Sequence, residues 1–184
     1  TPKPSSAASD VYKRQVQGAF DNTTYDTIAN GARMHNIPEG ITQWIMSLLK
    51  QRKLTASLRG TTVKMTPSKG CPQGGVLSPL LWNMVADELL HILNNKKYYT
   101  IGYADDFVIL IQGKFIDTTF DCMQLGLNIV EQWCKRADLF VNPNKSSLVL
   151  FTRRRNLEGI KTLSLFGQPI PLIPETKYLG IILD

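Results

Sequence analysis

Apolar positions in this chain fall into two rhythms, and they predict two kinds of element. The first is extended. Residues 97 to 111 run Lys-Tyr-Tyr-Thr-Ile-Gly-Tyr, then Ala-Asp-Asp, then Phe-Val-Ile-Leu-Ile. Aromatic and β-branched residues on both sides favour strands, and the small polar step between them tolerates a turn, so the stretch predicts a β-hairpin with Asp105 and Asp106 at its tip. Further short strands are expected at 55–58 and 62–66, at 148–151, and at 163–166 and 170–172 around Gly167-Gln168.

The second rhythm has helical spacing. Asn22 is the expected N-cap of a helix over 23–35, closed by Asn36-Ile37-Pro38. Glu39 to Gln51 carries Ile41, Trp44, Ile45, Leu48 and Leu49 three and four residues apart. That stripe predicts one buried face, with Trp44 in the core. Ser78-Pro79 opens a helix to about Asn94, as a cap followed by proline at the first helical position. Asp117 or Thr118 opens another to about Arg136, with Phe120, Leu127, Val130 and Trp133 inward. Strands mixed with helices, without internal repeats, give an α+β class.

Composition narrows the picture. The chain of 184 residues is 43% hydrophobic and 20% charged, which suits a packed domain. Residues 1–15, rich in Pro, Ser and Ala and without periodicity, predict a disordered leader outside the fold. They also resemble the adapter-derived leaders found on translated transcript assemblies. A net charge of +6 leans towards a polyanionic partner. The basic residues come in short clusters, Arg52-Lys53, Lys96-Lys97, Lys135-Arg136 and Arg153-Arg154-Arg155. Each cluster by itself reads as a solvated face. Three cysteines without CxxC spacing predict free thiols in a reducing compartment and no zinc site. No apolar run is long enough for a membrane span, so a soluble intracellular protein is expected, with no assignment between nucleus and cytoplasm.

The candidate chemistry starts from the two adjacent carboxylates. Packed beside hydrophobic strands they cost several kcal/mol unless a cation meets them. Mg²⁺ is the simplest such cation, since it binds through one or two carboxylates and keeps other positions for water and phosphate. Mn²⁺ accepts the same oxygen donors. The alternative is an acidic turn facing water. Upstream, Lys69-Gly-Cys-Pro-Gln-Gly-Gly-Val-Leu-Ser-Pro is a glycine-rich loop feeding a helix, able to approach a ligand closely.

Tyr103-Ala104-Asp105-Asp106 resembles the YxDD box of reverse transcriptases, in the form common in non-LTR retrotransposons and group II introns. Four further stretches are similar to the family's motifs in the family's order. Val16-Gln17-Gly18-Ala19-Phe20-Asp21-Asn22 resembles motif A, and the loop carrying Gln73 and Gly74 resembles motif B. Residues 139–151 with Lys145 resemble motif D, and Tyr178-Leu179-Gly180 resembles motif E, the primer grip. The resemblance covers about residues 15–184 and implies a polymerase palm: an antiparallel sheet with helices packed on one face, residues 16–184 forming a partial domain with part of the fingers, the fingers otherwise largely missing.

It also implies site roles. Asp105 and Asp106 would be catalytic metal ligands, with the Val16 backbone carbonyl a further metal contact. Phe20, Gln73, Gly74, Tyr103 and Ala104 would bind the nucleotide, and Phe20 would exclude a 2′-hydroxyl. Lys145 would act at the departing pyrophosphate, Leu179 and Gly180 at the primer. The implied reaction is RNA-directed DNA synthesis with Mg²⁺, on an RNA template and DNA primer with dNTPs, by two-metal phosphoryl transfer. One departure stands out. Gln15 occupies the place of a motif A aspartate, so the chain as it stands is expected to be inactive. A domesticated, non-catalytic nucleic-acid-binding palm is the alternative from another class, and a group II intron maturase the alternative within the polymerase class.

Overall fold

The computed structural model describes residues 8–16, 18–152 and 159–184. In chain order its first elements are strand β1 (Ala8–Gln15), a short helical turn α1 (Ala19–Asn22), helices α2 (Tyr25–Met34) and α3 (Glu39–Lys50), strands β2 (Leu54–Leu58) and β3 (Thr61–Met65), and helix α4 (Ser78–Asn95). There follow strands β4 (Tyr99–Tyr103) and β5 (Asp106–Gly113), helix α5 (Ile116–Ala137), a 3-10 turn over Pro143–Lys145, and strand β6 (Ser147–Phe151). Two small hairpins close the chain, β7 (Ser164–Leu165) with β8 (Gln168–Pro169) and β9 (Thr176–Tyr178) with β10 (Ile181–Leu183). The expected α+β class, with an antiparallel sheet, is what the structure has. No helix among the described residues is long and apolar enough to cross a membrane.

The chain divides into two units, one of 1–17, 89–136 and 140–184, the other of 18–88 and 137–139. The first is built on a four-stranded sheet in the order β4-β5-β1-β6, every neighbouring pair antiparallel. Its pleat separates two faces. Phe107 is buried and meets Trp133 of α5 edge-on at 6.4 Å, while a Cβ placed on Gly102 would stand 3.3 Å from Leu90 of α4. The helices therefore cover the face that carries Phe107 and Gly102. Trp133, Phe120, Leu127 and Val130 are all fully buried, as the helical spacing predicts. Each such side chain is worth roughly 1.5–3 kcal/mol of burial.

Three expectations need correction. Residues 8–15 are not a disordered leader: they form β1, which pairs with β5 on one side and β6 on the other. The Pro/Ser/Ala signal belongs to residues 1–7, which lie outside the described residues. Over Ser9–Lys13 a strand flanked by two others satisfies its backbone groups on both edges, and that outweighs composition. The expected cap of α2 is displaced as well, because Ala19–Asn22 closes its own short turn and Thr24, whose hydroxyl accepts from the Thr27 amide, caps the following helix.

The stripe on α3 is the third. Ile45 and Leu49 are buried, but Ile41, Trp44 and Leu48 are 50%, 57% and 46% exposed. Five apolar residues span a wider arc than the second unit covers. Leu48 instead walls an open cleft of ≈ 400 Å³ together with Leu49, Arg52, Pro72, Val76 and Leu81. The Arg153-Arg154-Arg155 cluster lies outside the described residues.

Candidate functional site

The hairpin forms as its sequence predicts. β4 and β5 are joined through Ala104 and Asp105, with Tyr103 opposite Asp106 as the closing pair. A two-residue connection of this kind needs a positive φ in its turn, and Ala104 supplies it at 51°. Asp105 and Asp106 are half-buried. On the other side of β5, Gln15 of β1 stands directly opposite Asp106, and the Val16 amide donates to the Asp105 carbonyl at 2.9 Å. Tyr103, Asp106 and position 15 thus fall in one register row across three strands. The Tyr103 and Asp106 side chains share a face, the one α4 and α5 do not cover.

Two other predicted segments approach the same end of the sheet. The last pairing of β1 with β6 is Lys13 with Ser147, and beyond it Val16 bridges Val141. The 3-10 turn bearing Lys145 lies between those two links, so it flanks the end of β1 opposite β5. Lys145 is exposed there, on a turn capped by Asn142, whose side chain accepts from the Asn144 amide at 3.0 Å. Strand β9 reaches the free face too: the Ser147 and Thr176 hydroxyls are 3.3 Å apart. The Tyr178 phenol is held above its ordinary pKa by burial and by the nearby Asp106 carboxylate. The primer-grip expectation rested on Leu179 and Gly180, which form the exposed β9–β10 turn. Tyr178, the first residue of that motif, is the one close enough to feel the Asp106 charge. A tyrosine ending a three-residue strand carries no local signal of that proximity.

The second unit holds the other predicted residues. Phe20 is half-buried on α1, its ring 6.2 Å from the fully buried Trp82 of α4. The Phe20 carbonyl accepts from the Cys71 amide at 2.6 Å, and the Thr23 carbonyl accepts from the Gly70 amide at 2.7 Å. Gln73 Nε2 donates to Asp21 Oδ2 at 2.7 Å. The structure therefore brings Phe20 and the Gln73 loop together. A Cβ on Gly70 would stand 2.6 Å from the Asp21 carbonyl oxygen and 2.9 Å from that of Phe20. Gly70 is thus the glycine that permits the contact, and nothing in the glycine-rich pattern marks it out from Gly74 and Gly75. Gly74 sits at φ +78 with open space around it. The buried Ser78 hydroxyl donates to the Pro72 carbonyl at 2.6 Å, tying the loop to the start of α4.

Hard cations are the ligands these residues suit. The paired carboxylates of the turn fit a hydrated Mg²⁺ ion, which needs one or two such groups. Among the described residues no cluster of three or more acidic, His or Cys side chains is present. In register, the position paired with Asp106 on β1 is the amide residue Gln15.

The family pattern described as reverse transcriptase (RNA-dependent DNA polymerase) matches residues 11–183. Two curated relatives are a probable RNA-directed DNA polymerase from transposon BS of Drosophila melanogaster, 30% identical over 92% of this chain, and the RNA-directed DNA polymerase from mobile element jockey of the same species, 27% identical over 92%. The chain spans 19% of the length of each. In fold it is similar to apo telomerase from Candida tropicalis, with a TM-score of 0.65 at 12% identity over 96% of this chain and 34% of that one. With YADD at the turn of a palm-type sheet and relatives among non-LTR retrotransposon polymerases, the chain belongs to the reverse transcriptase family.

Proposed function

We propose that this chain is the palm segment of a retrotransposon RNA-directed DNA polymerase, adding dNTPs to a primer 3′-OH on an RNA template. The observation that carries the reading is the register row of Tyr103, Asp106 and position 15, with Tyr103 and Asp106 on the helix-free face of the sheet. It gathers the family's acidic box and the start of motif A at one edge of one surface. In the reaction the primer 3′-oxygen bonds to the α-phosphorus of the dNTP, the bond to the β-phosphate bridge breaks, and pyrophosphate leaves. Asp105, Asp106 and the Val16 carbonyl would hold divalent cations, Mg²⁺ or Mn²⁺, which when bound neutralise phosphate charge and activate the attacking hydroxyl.

The remaining roles belong to side chains and backbone. Phe20 presents its ring, backed by Trp82, to the nucleotide sugar and disfavours a 2′-hydroxyl, the atom that distinguishes RNA from DNA precursors. Gln73 and Gly74 contact the nucleotide from their loop, and Tyr103 and Ala104 support the primer end and the sugar. Lys145 faces the pyrophosphate as a mobile point charge. Leu179 and Gly180 line the primer strand. The partners are RNA, DNA primer and dNTPs inside the cell.

Gln15 sets the limit. A neutral amide opposite Asp106 cannot supply the charge a hard cation needs, so the chain as it stands is proposed to be inactive. RNA-templated primer extension tests both statements. The polymerase carrying this segment with Asp at position 15 should extend the primer, and this chain should not. Extension by this chain would refute its inactivity, and no extension by the Asp form would refute the polymerase reading. The same Gln15 favours a second reading, a domesticated palm that binds nucleic acid without catalysis. Genomic sequence across residues 10–20 separates the two, glutamine within unbroken coding sequence favouring the binder.

A further inference from the structure

We propose that Arg52, together with Tyr25, is a positioning residue that holds the Gly70–Gln73 loop against Phe20 and so sets how the site receives its nucleotide. The proposal rests on the reading of Phe20, Gln73 and Gly74 as nucleotide contacts. Arg52 follows α3 in a stretch that composition marks as a solvated basic pair, yet it is half-buried. Its Nε donates to the Leu49 carbonyl at 3.1 Å. Its Nη2 donates to the Gly70 carbonyl at 2.5 Å, with the Tyr25 hydroxyl at 3.2 Å and the Lys69 carbonyl at 3.3 Å. None of these partners is a carboxylate. The Tyr25 hydroxyl in turn donates to the Pro67 carbonyl at 2.7 Å, and the Tyr25 ring centroid lies 6.0 Å from the guanidinium carbon.

These bonds converge on a single residue. The Gly70 carbonyl is held by Arg52, the Gly70 amide by the Thr23 carbonyl, and the next amide, of Cys71, by the Phe20 carbonyl. Two residues later Gln73 reaches Asp21. The loop has no ladder partner, so a planar fork spanning several carbonyls does what strand pairing does elsewhere. Lysine has no such fork and cannot take all of these oxygens at once.

The experiment substitutes Arg52→Gln and Arg52→Lys in the polymerase carrying Asp at position 15. Amide exchange at Gly70 and Cys71 should quicken about tenfold or more in Arg52→Gln, while the β4–β5 ladder keeps its protection. The KM for dNTP should rise roughly tenfold and ribonucleotide incorporation should increase relative to deoxyribonucleotide, with kcat changed far less. Arg52→Lys should fall between the two. Leu127→Ala, a core truncation in the other unit, should lower stability without moving KM. If Arg52→Gln does not fold, Tyr25→Phe keeps the ring, removes the hydroxyl and should shift the same quantities in the same direction. Unchanged exchange at Gly70 and Cys71, unchanged KM and sugar selectivity, or an equal KM rise in Leu127→Ala would each overturn the proposal. Failure of the parent to extend a primer would strike the functional reading, and the exchange measurement would still decide the role of Arg52 in the loop.

Discussion

The Tyr103–Asp106 turn and the Gly70–Gln73 loop are both irregular pieces of backbone between regular elements, and they are held in opposite ways. The turn hangs from strands. β5 is paired along its whole length by β1 and over Asp106–Leu110 by β4 as well, so the carboxylates stand where a repeated ladder puts them. The loop hangs from individual contacts with residues far away in sequence: Phe20, Asp21, Thr23 and Arg52. A ladder spreads the loss of one bond over many others. A set of unlike contacts does not, so substitutions in the two regions should differ in what they damage.

At the turn, chemistry should be lost while the fold stays. Asp106→Asn in an active polymerase is nearly isosteric and leaves the backbone pairing intact, but removes a charge from the place where phosphate charge must be met. Loss of a preorganised electrostatic contact of this kind costs about a hundred- to a thousandfold in kcat, and a cation ligand should lie at or beyond the upper end. Primer extension should show that loss while the unfolding midpoint stays close to the parent's. A large drop in stability instead would make Asp106 a structural residue of the sheet.

At the loop the order should reverse. Gly70→Ala places a methyl 2.6 Å from a backbone oxygen, at a φ of +83 that L-residues avoid. Left-handed strain and overpacking are each worth about 1–3 kcal/mol, so roughly 3 kcal/mol of destabilisation is expected in chemical denaturation. Gly74→Ala shares the positive φ but meets nothing within 4 Å, and should cost only about 1 kcal/mol. Equal costs at the two glycines would mean that the close approach to Phe20 and Asp21 contributes nothing.

The same contrast decides what could be read from the sequence. The hairpin was legible because its cause is local: two β-favouring runs around a small polar step. The inward face of α5 was legible for the same reason, since spacing alone puts Phe120, Leu127, Val130 and Trp133 inside. Arg52 was not, because its role depends on carbonyls up to 18 positions away. Nor was the exposure of Trp44: spacing shows that a stripe exists, not how much of it another element covers. β1 was not legible because the Pro/Ser/Ala composition extends over its first residues, while what makes Ala8–Gln15 a strand is pairing with β5 along its length and with β6 over Ser9–Lys13.

Cys71 gives a smaller test of how closed the loop is. Burial pushes its thiol up to about 11, with the Arg52 guanidinium pulling the other way. An unfolded chain releases this proton near pH 8.5. Between those values the folded state binds more protons than the unfolded one, so the contribution is whole below the lower value and is lost as pH rises towards the upper. Unfolding midpoints at pH 8 and pH 10.5 should therefore fall further in the parent than in Cys71→Ala. At pH 8 the half-buried Cys122 should be alkylated well before Cys71 or the fully buried Cys134. A Cys71 that reacts first would mean that the loop opens readily, against the bonds from Phe20 and Arg52.

The smallest effect returns to the turn. Ala104 carries a positive φ of 51°, which costs a non-glycine residue about 1–2 kcal/mol. Ala104→Gly removes that strain, but it also gives the unfolded chain more freedom, which offsets roughly 0.5–1 kcal/mol. The net should be a stabilisation of less than about 1 kcal/mol, visible as a slight rise in the denaturation midpoint. Strands on both sides already fix the turn, so relieving its one strained residue has little left to improve. A gain well above that figure would show that the ladder is under tension from its turn, and that the carboxylates owe their place to strain as well as to pairing.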